Sequence, residues 1–307
     1  MALFKDIFLL EPTKDTHGYI ELFSSAKLNL SLLIYGKRLD GFHELHSVMA
    51  TTGFSDRLVF SLNSEPEIKL EVIGGGSAVP TGPDNLICRA AQLLADYANV
   101  PACASIKVEK NIPAGGGLGG ASSNAATTLL GLNQLWNLNL SNDELAPLAA
   151  RLGSDVSFFL YAPLAECTGR GEIVKALAGR ISKKLMLIIP GIHVSTADVY
   201  SNYRFDASAV NARRLVVDNL VKDQDFDGLF EKGFNSLTAV TMNIVPELSL
   251  LRENIEYIIG RPVFMSGSGS TLYVCGDSYD ELNALADMLS EGDLRGTCSV
   301  VITDFVD

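Results

Sequence analysis

A glycine-rich stretch that leads directly into two serines constrains this chain more than any other feature. It reads Pro113-Ala114-Gly115-Gly116-Gly117-Leu118-Gly119-Gly120-Ala121-Ser122-Ser123 and is followed by an apolar stripe at Ala125, Leu129 and Leu132. Glycine has no Cβ, so its backbone can adopt positive φ and approach an anion closely, while the unpaired amides of a new helix point back at that anion. The helix dipole favours the same negative charge. The stretch therefore predicts a polyphosphate cradle at a helix start, because a flexible linker would lack the serine pair and the stripe.

Two other phosphate loops fit this stretch poorly. A Walker A loop places Lys-Ser or Lys-Thr after its last glycine, whereas this chain has Ala121-Ser122 there. The glycine spacing does satisfy a dinucleotide-binding loop, but that loop follows a strand directly and precedes a strand-end acid by about 20 residues. Here Asn111-Ile112-Pro113 separates the strand-like run 104–108 from the glycines, and the acids in range lie at a polar helix start. A Rossmann site is therefore a poor interpretation.

The composition predicts a globular enzyme and argues against several other classes. With 307 residues and 47% hydrophobic content, the chain can bury one or two cores, and we expect two domains, 1–175 and 176–307. The formal charge of −12 argues against a general nucleic-acid or membrane-surface binder. The N-terminal run 2–10 is too short to span a bilayer, so we expect a cytoplasmic protein, and no obligate protein partner is evident. The five cysteines lack Cys-x-x-Cys spacing, which predicts reduced thiols and no zinc site.

The apolar periodicity predicts strands that alternate with helices in an α+β fold. From residue 21 to 35 the alternation places leucines on one strand face and Lys27, Asn29 and Ser31 on the other. The remaining predicted elements are strands at 48–51, 58–61, 68–73 and 104–108, a helix at 85–98, a helix from the glycines to about 136, and, in the second half, strands at 185–189, 263–265, 272–275 and 299–303 with helices near 211–222, 234–242, 247–259 and 279–290.

A capping box near the middle of the chain predicts a helix that ends just before Asp155. Ser141 and Glu144 open a helix whose start Pro147 is expected to delay. The helix stops at Gly153, and the chain turns through Asp155 into a predicted strand at 156–160. An acid between a helix stop and an apolar strand would be rigidly mounted.

Several motifs together resemble those of the GHMP kinases, the family of galactose, homoserine, mevalonate and phosphomevalonate kinases. They are the glycine stretch, Ala26-Lys27-Leu28-Asn29-Leu30, Gly41-Phe42-His43-Glu44-Leu45, Leu152-Gly153-Ser154-Asp155-Val156 and Ser266-Gly267-Ser268-Gly269-Ser270. Their order is that of the branch that acts on a diphosphocytidyl-methylerythritol, and the likeness extends from about residue 24 to 301. The chain departs from the family pattern at Ser25 and Ser270, where proline is common, and at Phe42, which lacks the phenol hydroxyl of the usual tyrosine.

The resemblance implies a two-domain GHMP kinase fold, with an N-terminal ribosomal-protein-S5-like α/β domain and a C-terminal ferredoxin-like α+β domain. It implies ATP-dependent phosphorylation of the tertiary 2-hydroxyl of that small-molecule substrate, in the non-mevalonate isoprenoid pathway. Mg²⁺ is expected with ATP; Ser123 and water could complete its shell, and no protein metal ligand is assigned. Two alternatives are another small-molecule kinase of the family and a non-catalytic sensor. The presence of both Lys27 and Asp155 argues against the sensor.

The resemblance also implies roles for individual residues. Asp155 matches the general base and Lys27 its charge partner. Asn29, which strand periodicity places beside Lys27, could orient the same hydroxyl or the substrate phosphates. His43 matches the cytosine reader, and Phe42 belongs to the same pocket. The remaining substrate-binding candidates are Tyr200, as a second stacking ring or a core residue, and the second glycine loop Gly267, Ser268 and Gly269. The expected ATP-binding residues are Pro113, Ala114, Gly115, Gly116, Gly117, Leu118, Gly119, Gly120, Ala121, Ser122 and Ser123.

Overall fold

A computed structural model describes residues 18–76, 79–291 and 296–307. The N-terminal run 2–10, for which the sequence predicts no membrane span, lies outside these ranges. In the first half the elements are β1 (Tyr19–Lys37), β2 (His43–Ser61), β3 (Ile68–Gly74), α1 (Leu86–Ala98), β4 (Ala104–Lys110), α2 (Gly120–Leu135), α3 (Asn142–Leu152), α4 (Phe158–Tyr161), β5 (Leu164–Gly169) and β6 (Ile173–Ala176). In the second half they are β7 (Lys184–Pro190), α5 (Thr196–Asn202), α6 (Ala207–Lys222), α7 (Gly228–Lys232), α8 (Thr238–Ile244), α9 (Pro246–Ile259), β8 (Phe264–Met265), β9 (Leu272–Gly276), α10 (Tyr279–Glu291) and β10 (Cys298–Asp304).

The first half forms one mixed sheet with helices packed on it. Its strands run in the order β3-β4-β2-β5-β6, with β1 paired along β2. The β1–β2 pair is antiparallel and extends from Tyr19 opposite Ser61 to Lys37 opposite His43. The only parallel pair among the described strands is β3 with β4. Helices α1, α2 and α3 share a core with this sheet, built around Phe60, Leu94 and Leu129. This packing places the start of α2 beside Lys27, near the middle of β1.

The second half forms an antiparallel sheet in the order β10-β7-β9-β8. The strand β1 joins the two halves, because its Ala26 and Leu28 share a core with Leu187 of β7 and Tyr273 of β9. Two backbone hydrogen bonds add to this contact: Leu32 donates to the carbonyl of Phe234 at 2.8 Å, and Ser236 donates to that of Leu32 at 2.8 Å. The central part of β1, residues 26–34, is therefore enclosed on both faces, and both its apolar and its polar residues are buried.

The structure corrects several predicted elements. The prediction of a strand at 156–160 is wrong, because Phe158 begins the short helix α4. A short apolar run between turns has no periodicity that separates a buried strand from a buried helix turn. The two strands at 48–51 and 58–61 are one continuous strand, β2. Pro147 does not delay α3, which begins at Asn142, because the capping box fixes the first turn ahead of the proline.

Helix boundaries in the second half also shift. Helix α6 begins at Ala207, ahead of the predicted 211, because the Asp206 side chain accepts hydrogen bonds from two amides of its first turn. Helix α8 begins at Thr238, after the predicted 234. No helix within the described residues is long and apolar enough to cross a membrane.

Candidate active site

A cavity of about 920 Å³ lies where the two halves of the chain meet. Its lining comes from β1 and the turn after it, β2, the segment 79–86, the end of β4, the glycine loop, the turn before α4, the turn between β5 and β6, helix α5 and the loop between β8 and β9. Sequence-distant elements thus converge on one cleft. Most of the residues expected to bind ATP or substrate line this cleft: Lys27, Asn29, Phe42, His43, Pro113, Ala114, Gly115, Gly116, Gly117, Gly119, Gly120, Ala121, Ser122, Asp155, Tyr200, Gly267 and Ser268.

The glycine loop has the conformation that its sequence predicts. Gly115, Gly117 and Gly119 have φ of +73°, +76° and +70°, values that side chains with a Cβ rarely adopt. Helix α2 begins at Gly120, and no side chain caps its start. Its first backbone amides are therefore available to a ligand, and the dipole of the 16-residue helix favours an anion there.

Both halves of the chain hold this loop by its carbonyl groups. The amide of Lys27 donates to the Leu118 carbonyl at 2.9 Å, and the amide of Thr271 donates to the Gly116 carbonyl at 3.1 Å. The Ser266 hydroxyl donates to the Gly117 carbonyl at 2.9 Å. A Cβ added at Gly117 would lie 2.3 Å from the Ser266 carbonyl oxygen. Glycine is thus required there for packing against the second glycine loop as well as for an approach to phosphate.

Lys27 and Asp155 form an ion pair on the floor of the cleft. The Lys27 Nζ lies 3.6 Å from Asp155 Oδ2 and donates a 2.6 Å hydrogen bond to Asn29 Oδ1. The Asn29 amide donates in turn to the Ser47 hydroxyl at 2.8 Å. Lys27 is only 4% exposed, whereas the Asp155 side chain is 31% exposed. The cation is therefore fixed, and the carboxylate faces the cleft.

Tight backbone packing mounts Asp155. The acid follows Gly153, the residue that ends α3, and the Val156 amide donates back to the Gly153 carbonyl at 3.3 Å. A Cβ added at Gly171 would lie 3.5 Å from the Ser154 carbonyl and 3.8 Å from Asp155 Oδ1, so the turn between β5 and β6 lies against this acid.

The aromatic rings of Phe42, His43 and Tyr200 also line the cleft, and together they are called the aromatic pocket here. The His43 ring lies 5.1 Å from the Tyr200 ring and 6.3 Å from the Tyr203 ring, measured between centroids. Burial, and secondarily the charge of Lys37, lower the pKa of His43, so the imidazole is neutral at neutral pH. Burial and the nearby Asp155 raise the pKa of Tyr200, which keeps its phenol protonated. A neutral imidazole presents one donor and one acceptor.

The second glycine loop closes the cleft over Lys27. A Cβ added at Gly267 would lie 3.3 Å from Asn29 Oδ1 and 3.4 Å from Lys27 Nζ. The hydroxyls of Ser268 and Thr196 share a 2.8 Å hydrogen bond, which links this loop to α5. The close approach explains why a residue without a side chain stands at position 267.

Three predicted site residues do not line the cleft. Leu118 is buried in the core between the halves, and a Cβ at Gly269 would face Met265 at 2.9 Å. Ser123 is 1% exposed, and its hydroxyl accepts a 2.7 Å hydrogen bond from Ser24. Of the two serines that end the glycine loop, Ser122 faces the cleft and Ser123 faces the core.

A buried ion pair beside the loop was not predicted from the sequence. The Lys110 ammonium contacts the Asp56 carboxylate and donates to Asn124 Oδ1 at 2.9 Å. Asp56 also accepts hydrogen bonds from the amides of Asn111 and Ile112 at 2.7 and 2.8 Å. Lys110 lines the cleft, while Asp56 is fully buried. Strand alternation could have indicated that Lys110 is buried, because it lies an even number of residues from the buried Ala104, Ile106 and Val108 of β4.

A possible metal cluster in the described residues lies elsewhere. His46, Glu166 and Asp218 offer ligand atoms within 4.8 Å of one another, but none of the three lines the cleft. The Arg214 guanidinium already contacts both carboxylates, at 3.4 Å to Glu166 and 2.5 Å to Asp218. We assign no metal to this cluster.

The sequence of this chain is similar to that of one kinase family. Residues 85–162 match the sequence profile of the GHMP kinases N terminal domain. A 4-diphosphocytidyl-2-C-methyl-D-erythritol kinase of Bacillus cereus is 41% identical over 249 residues, which cover 81% of this chain and 85% of the relative. The enzyme of the same name from Bacillus anthracis shows the same identity and coverage.

Solved structures show the same fold over nearly the whole chain. A crystal structure of 4-(cytidine 5'-diphospho)-2C-methyl-D-erythritol kinase superposes with a TM-score of 0.74 at 32% identity, over 94% of this chain and 100% of that one. A homoserine kinase from Cytophaga hutchinsonii superposes with a TM-score of 0.75 at 16% identity, over 94% and 96% of the two chains, and shows the fold alone. The predicted GHMP kinase fold is confirmed. The chain belongs to the 4-diphosphocytidyl-2-C-methyl-D-erythritol kinases, a branch of the GHMP kinase family.

Proposed function

We propose that this protein transfers the γ-phosphoryl group of ATP to the 2-hydroxyl of 4-diphosphocytidyl-2-C-methyl-D-erythritol, in the non-mevalonate isoprenoid pathway. The observation that carries the proposal is that the Lys27–Asp155 pair lines the same cleft as the glycine loop and the aromatic pocket. A nucleotide on the loop and a cytidine in the pocket would bring their reacting groups to this pair. The names of the relatives support the same substrate.

The residues on the cleft floor divide the chemistry between them. Phosphoryl transfer spreads negative charge over the γ-phosphoryl oxygens, so positioning and electrostatics carry most of the catalysis. Asp155 accepts the proton of the substrate hydroxyl, and Lys27 offsets charge on the phosphoryl group. Asn29 holds the Lys27 ammonium in place through its 2.6 Å hydrogen bond. Gly267 of the second glycine loop packs against Lys27 and Asn29, and Ser268 beside it lines the cleft.

Mg²⁺ fits this cleft as a companion of ATP. Mg²⁺ keeps several waters and binds through substrate phosphates with one or two protein oxygens. The oxygens that would hold it are those of Ser122 and Asp155, which both line the cleft. Such an ion would neutralise charge on the phosphates. Ser123, the hydroxyl that the sequence suggested, is bonded to Ser24 and takes no part in this proposal.

We further propose that the domain boundary lies near residue 175, at the end of the first sheet, and that the enzyme acts in the cytoplasm, where ATP is supplied.

A direct test of the function incubates the protein with ATP, Mg²⁺ and the diphosphocytidyl substrate and identifies the product. The proposal requires a new phosphate monoester on the 2-hydroxyl. Phosphorylation of cytidine-free alcohols such as mevalonate or homoserine, with none of the diphosphocytidyl substrate, would contradict it.

Base recognition leads to a prediction about His43. Stacking on Phe42 and Tyr200 tolerates any base, so hydrogen bonds from His43 and nearby backbone must select cytosine. We expect His43→Ala to raise the KM for the cytidine substrate by the equivalent of roughly 1–3 kcal/mol, with the KM for ATP unchanged. Phe42→Tyr is the tolerated control and Phe42→Ala raises the same KM. Equal efficiency with uridine and cytidine substrates would show that the pocket was misplaced.

The packing of the glycine loop leads to a prediction about Gly117. Its replacement by alanine adds a Cβ 2.3 Å from the Ser266 carbonyl and should displace the loop. We expect ATP affinity, measured by calorimetry, to fall by at least about tenfold, because the cradle loses its shape. Gly260→Ala is the matched control: its φ of +66° is similar, but nothing lies within 4 Å of the added Cβ. Gly260 lies at the end of α9, outside the cleft, so equal losses in both variants would mean that the fall in ATP affinity does not come from the shape of the cradle.

A further inference from the structure

The ring of Phe42 stands in the aromatic pocket without a hydroxyl to fix it. It is 47% exposed, and its backbone amide donates to Asp40 Oδ1 at 3.1 Å. The ring itself is covered by one cation, since the Arg170 guanidinium carbon lies 4.8 Å from its centroid. Such a contact is within the range of a cation–π interaction. The orientation of the ring therefore depends on where Arg170 is held.

Arg170 is itself held firmly. One guanidinium nitrogen donates to the Ala150 carbonyl at 2.8 Å, and the Nε lies 3.8 Å from Glu172 Oε1. The Arg170 backbone amide donates to Glu172 Oε2 at 2.7 Å. The flanking Gly169 and Gly171 have φ of +72° and +116°, so the turn has a conformation that other residues rarely adopt. The Arg170 guanidinium is thus held in one place, unlike that of an unpaired arginine on the protein surface.

We propose that Arg170 is a positioning residue for substrate recognition, which holds the Phe42 ring in the orientation that stacks on cytosine. The inference rests on the proposed function, because it takes cytidine as the ligand of this pocket. The same turn lies against Asp155, since a Cβ at Gly171 would be 3.8 Å from its carboxylate. The turn therefore positions the base pocket and the catalytic acid from one short segment.

Substitution of Arg170 tests the inference through a split between kinetic constants. We expect Arg170→Gln to raise the KM for the cytidine substrate roughly three- to tenfold while kcat and the KM for ATP stay unchanged. Arg170→Lys keeps a cation and should show a smaller rise. The matched control is Arg213→Gln, which removes an arginine that stacks on Phe234 at 5.2 Å, away from the cleft.

A double-mutant cycle identifies the route of the effect. In a Phe42→Leu background the Arg170→Gln change should add nothing, because the ring that Arg170 positions is gone. An undiminished rise in that background would mean that Arg170 contacts the substrate directly, and a fall in kcat alone would mean that it acts through Asp155. Either result overturns the inference. Calorimetry can also measure the binding of cytidine 5'-diphosphate to the same variants, and this measurement needs no turnover. If the protein shows no kinase activity but the Arg170 variants still bind cytidine 5'-diphosphate more weakly, the proposed reaction is wrong and the inference about Arg170 stands.

Discussion

Replacing Asp155 with asparagine should lower turnover by roughly two to four orders of magnitude, the usual range for a positioned acid or base, and leave folding and ATP binding intact. The carboxylate faces the cleft and lies 3.6 Å from Lys27, while its mounting depends on backbone contacts that the substitution preserves. A single-turnover assay with ATP and the diphosphocytidyl substrate measures the effect. Asp304→Asn is a suitable control, because it removes a lysine-paired aspartate 2.6 Å from Lys184, outside the cleft.

The same measurement tests whether Asp155 and Lys27 work as one unit. Lys27→Ala should be similarly damaging, and the double variant should be far less than multiplicatively worse than either single variant. Turnover at the wild-type rate in a folded Asp155→Asn protein would overturn the mechanism. Fully multiplicative losses would show instead that the two residues act independently.

The second large effect concerns stability. Lys110→Met should lower the free energy of unfolding by about 3 kcal/mol, because it leaves the buried Asp56 carboxylate without its cation. The hydrogen bonds from Asn111 and Ile112 remain and keep the loss near the lower end of the usual range. Differential scanning fluorimetry should show a melting temperature lower by roughly 5–10 °C.

Lys107 provides the matched control for that measurement. It lies on the same strand, but its side chain is 41% exposed and its nearest carboxylate, that of Glu71, is 3.7 Å away. Lys107→Met should therefore cost less than about 1 kcal/mol. Removing both partners, in an Asp56→Asn, Lys110→Met double variant, should recover part of the lost stability. Equal effects of the two lysine substitutions would show that the buried pair contributes no more than a surface pair.

The sequence predicted those features of the site that depend on residues close together in the chain. Positive φ at Gly115, the helix start at Gly120 and the capping box of Ser141 all follow from the properties of single residues and their near neighbours. The pairing of Lys27 with Asp155 does not, since a long stretch of chain separates them. Only the order of several motifs pointed to it.

The parts that could not be predicted depend on packing. Which of Ser122 and Ser123 faces the cleft is set by the rotation of α2 about its axis, and the serine pair fits either rotation. The run at 158–161 is helical in the core shared with the first sheet, where Phe158 and Phe159 are buried, although its residues also suit a strand. Strand alternation places the charged Lys110 on the buried face of β4, which the sequence could have shown. Its partner Asp56 lies on another strand, and the sequence gives no sign of that pairing.

The hydrogen bonds that hold the glycine loop have a consequence for how the molecule unfolds. Residues 85–162, which match the family profile, contain the loop but neither Lys27 nor Ser266 and Thr271, whose groups bond its carbonyls. An excised segment would retain the glycines and lose the frame that shapes them. Nucleotide binding should therefore slow hydrogen exchange in strands of both sheets, and heat should melt the two halves in a single cooperative transition.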